Sequence, residues 1–177
     1  MKLEICRNLV STLAAGAIFL SPATVFAASG SFEKTVDVDG VAIVHVANDS
    51  GAIEVIGDDV DQVSIRATIK INKKLSRSDP MRAEQIIRTV KRSPPMSIEG
   101  GRIEISKIAS RYQRHASISY EIVVPRDSEV NVRSVSGNVK VSGVAGSVNA
   151  TSEKGKVTLA ESSATKKAEL SMSALIN

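Results

Sequence analysis

Between Ser128 and Leu159, four segments fall into register at a spacing of nine residues. They open at Ser128, Gly137, Gly146 and Gly155. Each carries apolar residues two and four positions later, at Val130 and Val132, Val139 and Val141, Val148 and Ala150, and Val157 and Leu159. Alternation over five residues with a small residue between copies reads as a short strand and a turn. One such unit is too small to bury its own apolar face, so neighbouring copies must stack to make a core. The expectation is an extended β-array, a scaffold or binding surface rather than a pocketed enzyme.

Upstream the same alternation recurs in longer runs. Val36 and Val38, then Val41, Ile43, Val44 and Val46, flank the turn dipeptide Asp39-Gly40. Asn48-Asp-Ser-Gly51 is a second turn, and Ile53 and Val55 follow Gly51 as the valines follow the later glycines. Val63, Ile65, Ala67, Ile69 and Ile71 alternate strictly, which predicts a long strand with one wet face. The period then changes. Asp79 is placed to cap a helix with Pro80 in its first turn, and Met81, Ala83, Ile86, Ile87 and Val90 recur at helical spacing until Ser93-Pro94-Pro95. The spacing predicts one amphipathic helix over 80–91. Two short strands around Gly100-Gly101 and a strand over 117–124 follow. After about residue 160 the repeat decays, and Ala168 to Ala174 alternates out of register.

The N-terminus reads as an address. Lys2 and Arg7 precede an apolar run of twelve residues, Leu9 to Leu20, and Val25-Phe26-Ala27 offers a small-residue cleavage site. This predicts a Sec-type signal peptide over 1–27, cut after Ala27, and a single domain over 28–177 exported to the periplasm, the cell surface or the medium. The run is short for a bilayer span. The only cysteine, Cys6, lies ahead of that run, so the exported chain would have neither a disulfide framework nor thiolate chemistry. With no Trp, the core must come from Val, Ile, Leu and Ala.

The segments Tyr120-Glu-Ile-Val-Val-Pro125 and Ser134-Val-Ser-Gly-Asn-Val-Lys-Val141, preceded by Asn48-Asp-Ser-Gly-Ala-Ile-Glu-Val-Ile-Gly57, resemble the bacterial adhesin-like family of β-strand-repeat domains, related to autotransporter-adhesin head domains. The resemblance covers roughly residues 33 to 160. It implies an exported, elongated β-solenoid-like domain of unknown function, and it offers no catalytic residues to carry over. The chain departs from the pattern at its end, where more repeats are expected. The last strand is then an edge at which a second copy could pair.

Chemical constellations are thin. Asp58, Asp59 and Asp61 form the one tight acidic cluster, without EF-hand spacing or the Gly-rich calcium nonapeptide, and turn chemistry is the preferred reading. His45 and His115, the only histidines, are seventy residues apart, so no metal site is expected. No G-x-S-x-G occurs, and no catalytic residues or cofactor are assigned. A polysaccharide-active β-helix enzyme stays open as an alternative. Asn48 and Asn149 match the glycosylation acceptor pattern and read as turn residues.

Charge is concentrated in the middle. From Lys70 to His115 there are twelve Lys or Arg against four acids, a local balance of +8 in a chain of net +4. Lys73, Lys74, Arg77, Arg88, Lys91 and Arg92 are the candidate polyanion-binding residues, for lipid headgroups, lipopolysaccharide or acidic polysaccharide. The competing reading is a solvated helix and loop face. Nucleic acid is not expected, since export and the lack of interleaved aromatics argue against it. The sequence reading is therefore an all-β array of stacked short strands resembling a solenoid, with one inserted helix. It serves as a non-catalytic envelope or surface protein. Asn131, Arg133, Asn138, Lys140, Asn149 and Thr158 would share faces across successive rungs.

Overall fold

The structure is a computed structural model that describes residues 27–160. The expected signal peptide, apart from Ala27, and the expected irregular C-terminal end after about residue 160 lie outside the described residues. In chain order the elements are β1 (Ser29–Asp37), β2 (Ile43–Ser50), β3 (Ile53–Asp58), β4 (Gln62–Ile71), α1 (Lys73–Ser78), α2 (Pro80–Arg92), β5 (Met96–Glu99), β6 (Arg102–Ile105), α3 (Ser110–Gln113), β7 (Ala116–Pro125), β8 (Glu129–Ser136), β9 (Val139–Ser142), β10 (Val148–Ser152) and β11 (Val157–Ala160).

These strands make two mixed sheets. The six-stranded sheet A has the order β1-β4-β7-β3-β9-β11, and the five-stranded sheet B has the order β10-β8-β2-β6-β5. The alternating residues turn inward. Val63, Ile65, Ala67 and Ile69 of β4, Ile53 and Val55 of β3, Val44 and Val46 of β2, and Val130, Val132, Val139 and Val141 of the repeats are all buried. Each such aliphatic side chain taken from water contributes roughly 1.5–3 kcal/mol, which lets a core almost without aromatic rings hold the two sheets together.

The nine-residue copies do not stack on their immediate neighbours. Successive copies lie in opposite sheets, β8 and β10 in sheet B and β9 and β11 in sheet A. The hydrogen-bonded partner of each is the copy eighteen residues away, in parallel register: Val130 with Val148, and Val139 with Val157. β2 and β3 join the same scheme, pairing in parallel with β8 and β9. The reason is geometric. A parallel neighbour in one sheet needs a crossover of a dozen or so residues, and the intervening strand of the opposite sheet with its two turns supplies it.

A uniform parallel stack with one helix is not what the whole chain adopts. β1 and β7 flank β4 antiparallel, and β5 runs antiparallel to β6. There are three helices among the described residues, because α1 and α3 add to the expected one. Asp39-Gly40 does form a turn, with Gly40 at φ +91°, but it carries the chain from sheet A to sheet B instead of closing a hairpin. Helix α2 lies against β1 and β4 and buries Ala83, Ile86 and Val90. Gly30 of β1 sits directly beneath Ile87, where any side chain would collide with it.

Two corners return the chain between the sheets. At one, Gly51, Gly137 and Gly155 are stacked so closely that a Cβ on each would strike a carbonyl, of Ile118, Gly51 and Gly137 in turn. Three residues before each glycine stands a buried polar side chain: Asn48, Ser134 and Ser152, which are in register across β2, β8 and β10. The Asn48 side-chain amide donates to the Ile118 carbonyl at 2.8 Å, and the Ser152 hydroxyl donates to the Gly137 carbonyl at 2.9 Å. Asn48 and Ser152 thus satisfy carbonyls that the turn would otherwise bury unpaired, while the buried Ser134 hydroxyl has no hydrogen-bond partner among the described residues.

Candidate functional site

The six candidate cations fall on one helical element. Asp79 is shared by both helices: its N–H donates to the Leu75 carbonyl at the end of α1, and its carboxylate accepts from the Arg82 N–H at the start of α2. Lys73, Lys74 and Arg77 therefore sit on α1, and Arg88, Lys91 and Arg92 on α2, all exposed. They are not equivalent. Arg88 is paired with Glu84 one turn away at 2.6 Å. The Lys91 stem lies over Gly30, and Lys91 and Arg92 face the helix C-terminus, where positive charge is favoured. Among the described residues Lys73, Lys74 and Arg77 have no ion-pair partner.

The basic stretch as a whole is not one face. Arg102 opens β6 in sheet B, Lys107 pairs with Asp49 at 3.3 Å, and Arg111 stacks on the Tyr112 ring at 4.8 Å. Lys70 ends β4 beside Asn72, whose N–H donates to the His115 carbonyl and whose side-chain amide donates to the Arg114 carbonyl, each at 2.8 Å. That end of the molecule collects Lys70, Lys73, Lys74, Arg77, Arg111, Arg114 and His115. The opposite end of the strands collects Asp37, Asp39, Asp58, Asp59, Asp61 and Asp127 around two shallow depressions. There Asp58 accepts from the Asp59 N–H at 2.9 Å, and Asp59 is paired with Arg126 at 2.9 Å.

The outer face of sheet A carries a row of five charged residues ending in a threonine. Glu33, Arg66, Glu121, Glu54, Lys140 and Thr158 are successive register partners across all six strands. Arg66 bonds Glu33 at 2.6 Å and approaches Glu121 at 3.6 Å, while Lys140 bonds Glu54 at 2.8 Å. The hydrogen bond to Glu33, and then the charges of Glu33 and Glu121, hold the Arg66 guanidinium above its ordinary value. On sheet B, Glu104, His45, Asn131 and Asn149 form the corresponding row. The six residues expected to share faces are thus divided. Asn131, Arg133 and Asn149 belong to sheet B, and Lys140 and Thr158 to sheet A. Asn138 lies at the corner, accepting from the Lys156 N–H at 3.1 Å. Asn149 is mid-strand on the outer face, not in a turn, whereas Asn48 is the buried corner residue.

Burial pushes the Tyr120 hydroxyl above its ordinary value of 10.0. Among the described residues no three His, Cys, Asp or Glu are grouped so as to hold a metal ion.

No protein-family model and no curated protein matches this chain. Among solved structures, one described as a "putative cell adhesion protein from Clostridium sporogenes ATCC 15579" is similar at 14% identity and a TM-score of 0.46. The match covers 75% of this chain and 61% of that one, so the chain spans less than two thirds of that protein's length.

Proposed function

We propose that this chain is a non-catalytic exported module of the bacterial envelope or cell surface, of the adhesin-like β-repeat class, whose two-sheet winding is a short β-solenoid used for binding or assembly. The observation that carries this reading is the difference between the two ends of the core. At the β1 side, antiparallel pairing and helix α2 cover the apolar interior. At the other side the described winding finishes on the parallel strands β10 and β11, with Val157 and Leu159 only half-buried. Repeat arrays need a cap at each end, and among the described residues neither β10 nor β11 has a partner on its outer edge, where another strand can pair. Residues 28 to 177, studied by size-exclusion chromatography with light scattering, should give a discrete dimer or higher assembly. A well-behaved monomer would count against the assembly role.

A second reading is favoured by one observation, the gathering on α1 of cations that have no ion-pair partner among the described residues. In that reading the chain is a periplasmic polyanion- or lipid-binding module, with Lys73, Lys74 and Arg77 as its exposed charges. The two readings are compatible, because the helices lie away from β10 and β11 in the sheet order.

A further inference from the structure

Where β4 ends and β7 begins, Lys70 and Ser117 stand opposite one another in the antiparallel register. The bonds from Asn72 to the carbonyls of Arg114 and His115 draw that loop against the end of β4, and Ser50, at the end of β2, supplies the other wall. The result is a depression of about 220 Å³ lined by Ser50, Lys70, Asn72, Arg114, His115 and Ser117. None of its lining residues is acidic. The Asn72 side chain is already committed, its Oδ1 accepting from the Leu75 N–H at 2.8 Å, so it fixes the walls and leaves the charged groups to a ligand. The six aspartates at the opposite end of the strands make this the end toward which an anion is steered.

We propose that this depression binds a phosphate group. The volume is below the roughly 300 Å³ at which small-molecule pockets begin, so it suits one anionic group rather than a whole ligand. A guanidinium fork from Arg114, a point charge from Lys70, the imidazole of His115 and the hydroxyls of Ser50 and Ser117 come from three segments. Donors on several sides match a tetrahedral oxyanion better than a planar carboxylate. The site uses none of the six helical cations and does not depend on assembly through β10 and β11. The phosphate can be free or the exposed headgroup of a lipid.

The test is a titration of inorganic phosphate into residues 28–177, which hold every strand and helix described, followed by amide NMR with chloride at matched ionic strength as the reference. Saturable shifts should cluster at Ser50, Lys70 to Asn72 and Gln113 to Ser117. Lys70→Gln and Arg114→Gln should each weaken binding about tenfold or more, while Lys34→Gln, exposed on β1, leaves it unchanged and all three keep the parent spectrum elsewhere. Non-saturating shifts, shifts confined to α1 and α2, or unaltered binding by Arg114→Gln would overturn the site. Co-sedimentation with phosphatidylglycerol vesicles, against phosphatidylcholine, separates the sources. Loss of vesicle binding in Arg114→Gln identifies a headgroup, and saturable phosphate binding without vesicle binding identifies a soluble phosphate.

Discussion

Gly51 is the residue at which the corner is most tightly constrained. Its φ of +119° lies where side chains are strained, and a Cβ there would meet the Ile118 carbonyl and the following peptide. Gly40 also has a positive φ, of +91°, but nothing lies within 4 Å of its missing side chain. Urea unfolding should therefore separate them. Gly40→Ala should cost about 1 kcal/mol for backbone strain alone, and Gly51→Ala roughly 3 kcal/mol or more, because backbone must also move. Equal losses would mean that close approach at the corner is unimportant. The sequence shows Gly51, Gly137 and Gly155 as small residues opening a repeat. Their collisions are with carbonyls brought from eighteen or more residues away, and nothing local announces that. Tyr120 offers a second residue-scale test. Its hydroxyl is held protonated by burial, so the unfolded chain loses that proton first as pH rises. The contribution to stability is intact below pH 10.0 and declines above it. Tyr120→Phe should flatten the fall in melting temperature between about pH 10 and 11; an unchanged slope would place the hydroxyl in contact with water.

At the scale of elements, α2 is the cap of the core at the β1 side. Its helical spacing was plain from Ala83, Ile86 and Val90, and the structure buries those three. Ile86→Ala should lower unfolding free energy by about 2–4 kcal/mol, measured by urea denaturation. A loss under about 0.5 kcal/mol would mean that the helix is only loosely docked. Helices α1 and α3 escaped the sequence reading for a physical reason: at six and four residues they are too short to show an apolar period, and α1 buries only Leu75. The pairing of the strands escaped it differently. The period of nine is legible as strand and turn, but the stacking of each copy on its immediate neighbour that it suggests is not what forms. The clue was available, since roughly four residues between strands cannot connect parallel neighbours within one sheet, so consecutive copies have to cross the core.

For the whole molecule, the winding separates charge along the strands and separates a covered end of the core from one finished by short strands. The basic stretch was legible as a run in sequence, but its division was not. Folding pairs Lys107 with Asp49, sends Arg102 to sheet B, and brings Ser50 to Lys70 and Ser117 from strands of both sheets. Under the proposed function, copies meet at the β10 and β11 end. Because residues 28–177 contain no cysteine, single thiols introduced there report proximity cleanly. Thr158→Cys, exposed on β11, and Thr35→Cys, exposed on the opposite edge strand β1, should be oxidised side by side in residues 28–177. Thr158→Cys should give a disulfide-linked dimer and Thr35→Cys monomer; cross-linking through Thr35→Cys alone, or through neither, would rule out pairing at β10 and β11.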